Sequence, residues 1–393
     1  MNATQFKSAL LSGAPVIDLG DEEVEFARFQ FRPSLPVTIK GGRFRNVTLD
    51  QWRNVTFDGS AFALTDHPGG FITLFDAYAP ENLTVRNARF TGTKRLDEEN
   101  RDRLDVKAML IREGGRNVVV ERNVFEQIAG FVQFTRVNGF KFNDNDMRLI
   151  REGVQVDGGR DFEICRNRFG PFLADVFGND RTDDHPDPVQ LFTGSLTKPG
   201  DLATRNGTIA QNLVIGGTTP RERPQGIWIA DDGGLHKSGR GFADITVEDN
   251  DLIGVNWNGI AVPQPVPELS IRDNRLYFMG GDDQHGDPVT TSWIKAQSGI
   301  VERNTAPLFA LTGTAQGRDN VTAPELIDAA GRGRIVAAWD KERRPWYAPP
   351  DPRIAERDAL RVSIPAETAI RDALTKKLAK DRARLKLLEG ILS

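Results

Sequence analysis

The chain contains very little cysteine, histidine and tyrosine for its 393 residues. Its single cysteine, Cys165, has no intramolecular partner, so disulfides do not hold the fold and no oxidising compartment is needed. Long apolar runs are also missing. No stretch approaches the roughly 18 residues of a membrane span, and the N-terminal segment lacks the apolar core of a signal peptide. We therefore expect a protein that is made in a cytoplasm, spans no membrane and leaves the cell only by lysis.

An excess of basic charge is absent as well. Lys and Arg total 51 against 55 Asp and Glu, which gives a net charge of −4 and argues against a nucleic-acid partner. The sequence contains no Walker loop, dinucleotide fingerprint, HExxH motif or Cys/His metal pair, so we expect neither a cofactor nor a metal. Hydrophobic residues at 39% and charged residues at 27% are typical of a folded soluble protein.

A repeat organises most of the chain. Its unit alternates apolar and polar residues and then reaches an asparagine, as in NVVVERNVF and DITVEDNDL, and this alternation predicts short strands. The repeated residue is found at Asn87, Asn123, Asn145, Asn167, Asn212, Asn250, Asn274 and Asn304. Several of these positions are 22 residues apart, and the longer spacings indicate insertions. No helical periodicity separates the units, so they are not βαβ repeats.

A second strand series is offset from the first. It comprises FITLF at 71–75, AMLIR at 108–112, FVQFT at 131–135, GVQVD at 153–157, PVQLF at 188–192, GIWIA at 226–230, GIAVP at 259–263 and TSWIK at 291–295. Each repeat therefore holds at least two strands. Stacked coils of this kind bury one another's apolar rows, and asparagine tolerates the left-handed turn conformation between strands.

With its coils of about 22 residues and repeated asparagine, the chain resembles the right-handed parallel β-helix proteins of the pectate-lyase-like kind. The resemblance covers roughly residues 40 to 310 and concerns architecture, since no family-specific catalytic signature is matched. It implies an all-β solenoid with an N-terminal cap and a C-terminal α-helical tail. The residues predicted to stack inward are Val120, Phe142, Ile164, Ile209, Val247 and Ile271.

Four segments are predicted. Residues 1–39 form a cap, 40–332 the β-helix and 333–352 a linker that contains four prolines. Residues 353–393 form an amphipathic helix with an apolar stripe from Ile370 to Leu392. We expect this tail to bury its stripe against other virion proteins, a second copy of the chain or an end of the β-helix, because an exposed stripe favours aggregation.

Polar and aromatic side chains form the predicted outward row of the second series: Gln133, Gln155, Gln190 and Trp228. One interpretation is a ladder of amides that only stabilises the surface. The other is a groove for polysaccharide, because amides bind hydroxyl groups and an indole stacks on a sugar ring. Cys165 is expected to be a small core or turn residue.

Acidic insertions flank the same row. They contribute Asp183, Asp184, His185, Asp187, Asp231 and Asp232, with Asp157 following Gln155 on its strand. Asp157 and Asp187 are the predicted acid and base or nucleophile of a glycan-cleaving site, with Asp183, Asp184 and His185 beside them, and Asp231 and Asp232 are predicted to bind substrate. The segment His185 to Gln190 resembles the His-x-Asp-x-x-Gln of bacterial and phage β-helix proteins, and its functional interpretations are His185 as a general base or the cluster as a cation site. His67 and His285 occupy the equivalent place before their own strands, which favours a turn role for His185.

The function implied by this resemblance is action on polysaccharide. The favoured hypothesis is a phage-type virion spike or tailspike that binds, and in one version cleaves, a host cell-surface polysaccharide. This reading follows from the expected release by lysis and from the C-terminal assembly segment, and it implies a homo-oligomer located in the virion. A free polysaccharide lyase or hydrolase and a purely structural spike are the alternatives.

Overall fold

The computed structural model describes residues 1–64, 72–92, 106–173, 186–193, 204–219, 222–230, 241–282, 288–324 and 326–343, with the backbone alone of 94–96 and 102–104. Its strands form three stacks, here called faces A, B and C in the order in which each coil visits them. Face A precedes the repeated asparagine, face B follows it, and face C is the second strand series of the sequence. Strands are numbered in chain order throughout.

Face A consists of β1 (Val16–Val24), β3 (Val37–Phe44), β5 (Arg53–Asp58), β8 (Glu81–Arg86), β13 (Arg116–Glu121), β16 (Asn138–Asn143), β19 (Arg160–Cys165), β22 (Thr204–Ala210), β25 (Phe242–Glu248), β28 (Ser270–Arg272), β31 (Ile300–Glu302) and β34 (Gln316–Arg318). Face B consists of β6 (Ala61–Ala63), β9 (Arg89–Thr91), β14 (Val124–Ile128), β17 (Asp146–Ile150), β20 (Arg168–Phe169), β23 (Leu213–Ile215), β26 (Asp251–Ile253), β29 (Arg275–Tyr277), β32 (Thr305–Ala306) and β35 (Val321–Thr322).

Face C consists of β2 (Phe29–Gln30), β4 (Val47–Asp50), β7 (Ile72–Tyr78), β12 (Val106–Arg112), β15 (Gly130–Thr135), β18 (Val154–Asp157), β21 (Val189–Phe192), β24 (Ile227–Ile229), β27 (Asn258–Val262), β30 (Trp293–Ala296) and β33 (Leu308–Leu311). The remaining strands, β10 (Lys94–Leu96) and β11 (Asp102–Leu104), pair antiparallel with each other outside the three faces.

Each strand of a face pairs in parallel with the equivalent strand of the next coil, as β13 does with β16 and β16 with β19. Connections between parallel strands of one sheet are right-handed in nearly all proteins. The predicted fold class, a right-handed parallel β-helix, is confirmed by these ladders.

The core is built from side chains that stack coil upon coil. Val120 is the register partner of Phe142, and the row continues through Ile164, Ile209, Val247 and Ile271, as predicted. All six side chains are fully buried. On face B, Phe62, Phe90 and Phe125 stack with ring centroids 4.7 Å apart at each step. This continuous apolar interior holds the coils together because each row is buried by its neighbours.

A buried asparagine ladder runs along the turn between faces A and B. The side-chain Nδ2 of Asn123 donates to Oδ1 of Asn145 at 3.0 Å, and the backbone N–H of Asn123 donates to the same oxygen. The members of the ladder are Asn123, Asn145, Asn167, Asn212, Asn250, Asn274, Asn304 and Asn320. These amides satisfy polar backbone groups that the turn would otherwise bury unpaired.

Two details of this turn differ from the sequence-based prediction. The left-handed residue is the one before the ladder asparagine, for example Arg122 at φ 54° and Asp144 at φ 59°, because that residue reverses the chain while the asparagine points inward. Asn87 itself has φ 52° and stays outside the ladder. In this coil the hydrogen bond to Oδ1 of Asn123 is donated by the backbone N–H of the next residue, Ala88.

The N-terminal end carries helix α1 (Ala3–Leu11), which begins with a capping box between Asn2 and Gln5. Phe6 and Leu10 of α1 are buried, and the Phe6 ring meets Phe44 edge-on at 5.9 Å. The strand ladder starts within the predicted cap segment, since β1 already pairs with β3. Residues 1–39 therefore contain both the helix and the first strands of the solenoid.

The second helix, α2 (Ala329–Arg343), departs from the predicted linker over residues 333–343. The first of the four prolines, Pro345, comes only after Arg343, so nothing in this stretch interrupts helical hydrogen bonding. Trp339 of α2 is buried in a cluster with Leu213, Ile253 and Met279. The compact unit Met1–Trp339 is followed by a second unit, Asp340–Ser393, of which residues up to Arg343 are described. The predicted assembly helix at 353–393 lies outside the described residues, and neither described helix has the length and hydropathy of a membrane span.

Candidate functional site

The outer surface of face C carries a continuous row of polar and aromatic side chains, here called the middle row. Gln133 is the register partner of Gln155, Gln155 of Gln190, and Gln190 of Trp228. Neighbouring parallel strands are about 4.8 Å apart, so these four side chains are spaced at regular intervals across four coils. Gln133, Gln190 and Trp228 are half-buried, whereas Gln155 is only 9% exposed.

A second row, here called the start row, lies where the face C strands begin. Val154 pairs with Val189, and the N–H of Gly153 donates to the carbonyl of Asp187, which puts Glu152 beside Asp187. The same offsets carry the row to Asn258, and a register shift then pairs Asn258 with Trp293; the members are Glu152, Asp187, Gln225, Asn258 and Trp293.

A recurring backbone feature brings the two rows together. The first four start-row residues, all except Trp293, are each followed by Gly or Pro and then by a buried aliphatic residue, as in Glu152-Gly153-Val154 and Gln225-Gly226-Ile227. The strands approach closely here. A Cβ atom on Gly226 would lie 1.7 Å from the carbonyl oxygen of Gly259, and one on Gly153 would lie 2.1 Å from that of Pro188. At these two positions only glycine permits the approach, and after Glu152 it accompanies the contact of that side chain with Gln155 of the middle row.

A hydrogen-bond network joins the two rows at one end. The amide Nε2 of Gln155 donates to Oε2 of Glu152 at 2.8 Å and to Oε1 of Gln190 at 2.9 Å. Arg151 donates to the other carboxylate oxygen of Glu152 at 3.0 Å. Glu152 is 8% exposed, so this carboxylate is held in a largely buried environment beside the amide row. Buried charged hydrogen bonds of this kind fix side-chain orientation strongly.

A second network lies two coils further along. The indole N–H of Trp293 donates to Oδ1 of Asn258 at 3.1 Å, and Nδ2 of Asn258 donates to Oε1 of Gln225 at 3.2 Å. Trp257 is 37% exposed and immediately precedes strand β27. Its ring centroid lies 6.4 Å from that of Trp293. Amide groups and indole rings therefore lie next to one another on the surface of face C.

The two carboxylates predicted as an acid–base pair are not brought together. Asp187 aligns with Glu152 of the adjacent coil, and Glu152 precedes Asp157 by five residues along the chain. At about 3.3 Å per residue, the Cα atoms of the two aspartates are roughly 16 Å apart along the strands, whereas residues that face each other in adjacent coils are about 4.8 Å apart. Asp157 is 1% exposed and Asp187 2% exposed. The register puts Glu152, and not Asp157, next to Asp187 in the adjacent coil.

The remaining predicted site residues lie outside the described residues: Asp183, Asp184, His185, Asp231 and Asp232. The same holds for His67 and His285, on which the turn interpretation of His185 depends. Within the described ranges, no group of three or more His, Cys, Asp or Glu side chains has the arrangement of a metal site.

Clear pKa shifts are found on faces A and B. Burial raises the pKa of the Cys165 thiol to about 11, and Cys165 is only 7% exposed. This agrees with its predicted role as a core or turn residue, because the thiolate is the reactive form. On face B, burial raises the pKa of Asp251 despite its ion pair with Arg275, and it raises that of Tyr277 to about 12. None of these three groups belongs to face C.

The start row was not predicted from the sequence. The signal is nevertheless present in the chain, where a polar residue, then Gly or Pro, then Val or Ile recurs as EGV, DPV, QGI and NGI before consecutive face C strands. Trp257 and Trp293 were also missed. The strand alternation counted Trp228 alone, but a register irregularity between Asn258 and Ile260 aligns Trp293 with Asn258.

No family model matches the chain, and no curated protein matches it. Among solved structures, the chain is similar to the one described as "Crystal Structure of the periplasmic alginate epimerase AlgG", with 10% sequence identity, a TM-score of 0.35 and coverage of 82% of each chain. At this level of similarity, the role of face C has to be inferred from the arrangement of its own side chains.

Proposed function

We propose that face C binds a polysaccharide. The observation that carries this proposal is the alignment of Gln155, Gln190 and Trp228 in consecutive coils, about 4.8 Å apart, on one outer surface. Amide groups in such a row offer donors and acceptors to sugar hydroxyls, and a half-buried indole offers an apolar face to a sugar ring. A polymer of sugars is a suitable ligand because it presents the same groups at regular intervals.

Binding can be tested with the full chain on a glycan array of bacterial surface polysaccharides. We expect Trp228→Ala to weaken binding to the preferred polysaccharide by about 1 to 3 kcal/mol if the indole is a central anchor. Lys141→Met is a suitable control, since Lys141 lies on face A and its partner there is Glu163. A parent protein that binds none of the polysaccharides would contradict the proposal.

A second candidate function is cleavage of that polysaccharide. It is favoured by Glu152, whose buried carboxylate is hydrogen-bonded to Gln155 and which lies one coil from Asp187. The two residues lie on adjacent strands, whose backbone spacing of about 4.8 Å is compatible with the roughly 5 to 5.5 Å between the carboxyl groups of retaining glycosidases. In this reading, Glu152 takes the place beside Asp187 that the sequence had given to Asp157.

Cleavage is measured as the loss of polymer length in size-exclusion chromatography. Glu152→Gln and Asp187→Asn should each abolish shortening while retaining binding, because both substitutions keep the side-chain volume. Asp157→Asn is the matched control, a buried aspartate on the same face that should leave the rate unchanged. If the parent never shortens the bound polymer, face C is a binding surface alone.

We further propose that the protein is a component of a phage-type virion, which uses face C to contact a host-cell glycan and assembles with other virion proteins or further copies of itself through residues 353–393. The support is the apolar stripe from Ile370 to Leu392 in the sequence. Capsid, portal or tail genes beside the coding sequence would agree with this placement. Sugar-catabolism genes in the same position would favour a free enzyme.

A further inference from the structure

The five tryptophans that the structure describes are divided between the core and face C. Trp52 and Trp339 are buried, with 0% and 4% of their surfaces exposed. The other three described tryptophans retain exposed surface, and all three belong to face C or precede one of its strands: Trp228, Trp257 and Trp293. They occupy three consecutive coils. A large aromatic side chain gains most from full burial, so three partly exposed indoles on one surface indicate a contact site.

The rings of Trp257 and Trp293 form a preorganised pair. Their centroids are 6.4 Å apart and their planes are tilted by 40°. The Trp293 ring is fixed by its N–H bond to Asn258, which is fixed in turn by Gln225. The backbone joins them too, because the N–H of Trp293 donates to the carbonyl of Trp257 at 2.8 Å. An aromatic platform that is already oriented loses little conformational entropy when a ligand binds.

Of the two rings in the pair, Trp257 lies one coil and Trp293 two coils from Trp228. Trp228 is the register partner of Ala261 in the next coil, and Trp293 belongs to the coil after that. Two strand spacings amount to about 10 Å along the stack. That distance exceeds the length of one pyranose ring, so a single sugar residue does not contact both Trp228 and Trp293.

We propose that Trp257 and Trp293 form a second sugar-stacking site, and that a bound glycan chain crosses the face C strands from Trp228 to this pair. The inference rests on the proposed polysaccharide binding and adds the direction and minimum length of the ligand. The pair receives the apolar face of one pyranose ring, and the Asn258 amide is positioned for its hydroxyl groups. Short fragments occupy the surface near Trp228 alone, and longer ones occupy both sites.

The test uses a length series of oligosaccharides, from disaccharide to octasaccharide, prepared from the polysaccharide that gives the strongest array signal with the parent chain. Affinities of the full-length chain and its variants are measured by isothermal titration calorimetry. We expect Trp257→Ala and Trp293→Ala each to weaken octasaccharide binding about tenfold while leaving disaccharide binding unchanged. Trp228→Ala should weaken the binding of both lengths.

Two further variants separate ring stacking from folding. Leu308→Ala is the matched control, because Leu308 is the register partner of Trp293 in the next coil and is 43% exposed but carries no ring. It should leave all affinities unchanged. Trp293→Phe keeps a ring face and removes only the hydrogen bond to Asn258, so it should bind the octasaccharide better than Trp293→Ala does. Thermal denaturation confirms that each variant is folded.

The outcomes distinguish this inference from the proposed function. If Trp228→Ala weakens binding while Trp257→Ala and Trp293→Ala leave octasaccharide affinity at the parental value, face C binds glycan but the second site does not exist. If the affinity of the parent is the same for every length, the chain does not cross the coils and the inference is again overturned. A parent that binds no polysaccharide on the array overturns both.

Discussion

The backbone N–H and the side-chain amide of Asn145 both donate to one atom, Oδ1 of Asn167, at 2.9 Å and 3.1 Å. Because the same geometry recurs from Asn123 to Asn320, each asparagine is at once the acceptor for the coil before it and the donor to the coil after it. The ladder lies inside the apolar body, where an unpaired N–H is costly.

Replacing Asn145 with Ala should therefore destabilise the protein. The substitution leaves the backbone N–H of Asn123 without its acceptor in a buried site, and the expected loss is about 1 to 3 kcal/mol. The free energy of unfolding is measured by urea denaturation with a circular dichroism signal. Lys141→Ala removes an exposed ion pair with Glu163 and should cost less than about 1 kcal/mol. Equal losses in the two variants would contradict a structural role for the ladder.

Gly226→Ala should be strongly destabilising. The added Cβ would meet the Gly259 carbonyl oxygen at 1.7 Å, and neither strand can withdraw without breaking the hydrogen bond from the Gly226 N–H to Asn258. We expect the melting temperature to fall by several degrees, consistent with a strain of about 1 to 3 kcal/mol. Gly333→Ala provides the contrast, because its Cβ would meet nothing within 4 Å and α2 favours alanine over glycine. Its melting temperature should be unchanged or higher.

Trp339→Ala should release α2 from face B. Trp339 is 4% exposed and packs with Leu213, Ile215 and Ile253, so its truncation removes the main apolar contact of the helix. A cost of about 3 to 5 kcal/mol is expected for a buried tryptophan. Limited proteolysis should then cut within α2 while leaving the β-helix intact. If α2 remains as resistant as in the parent, other contacts, such as that of Arg332 with the Gly216 carbonyl, are sufficient.

Cys165 should react slowly with iodoacetamide in the folded protein. Its pKa is raised from 9.0 to about 11 by burial, so the thiolate fraction near pH 8 is about a hundredfold smaller than in the unfolded chain. The labelling rate in native buffer is compared with that in urea by mass spectrometry. Rapid native labelling would show that the thiol is accessible and ionised.

The same shift has a consequence for alkaline stability. Since the folded-state pKa is above the unfolded one, the unfolded chain loses its thiol proton first as the pH rises. The contribution of this group to stability is therefore complete below pH 9 and decreases between pH 9 and about 11. Cys165→Ala should lose less of its unfolding free energy than the parent does across this interval.

Much of the fold was predictable from sequence because coil stacking repeats one pattern many times. The inward residues Val120 and Phe142 and the face C strands follow directly from two-residue alternation. The site was less predictable, since a strand-start glycine such as Gly153 shifts the alternation and turns Glu152 toward Gln155. Alternation shows which side of a strand a residue faces but not which residues of two coils are aligned. It could therefore not show that Asp157 and Asp187 lie at different positions along their strands. Helix α2 was not predicted because the four prolines that follow it favoured a linker over the whole of residues 333–352.

The ladder spacing is independent of how much chain lies between its members. Asn123 and Asn145 are 22 residues apart, whereas Asn167 and Asn212 are 45 apart, yet the amide hydrogen bond is 3.0 Å in both cases. An insertion between two coils therefore leaves the hydrogen bonds between the coils unchanged. Segments that border face C can change in length or composition without altering the register of the body, so the ligand preference of this protein is free to diverge while its scaffold stays constant.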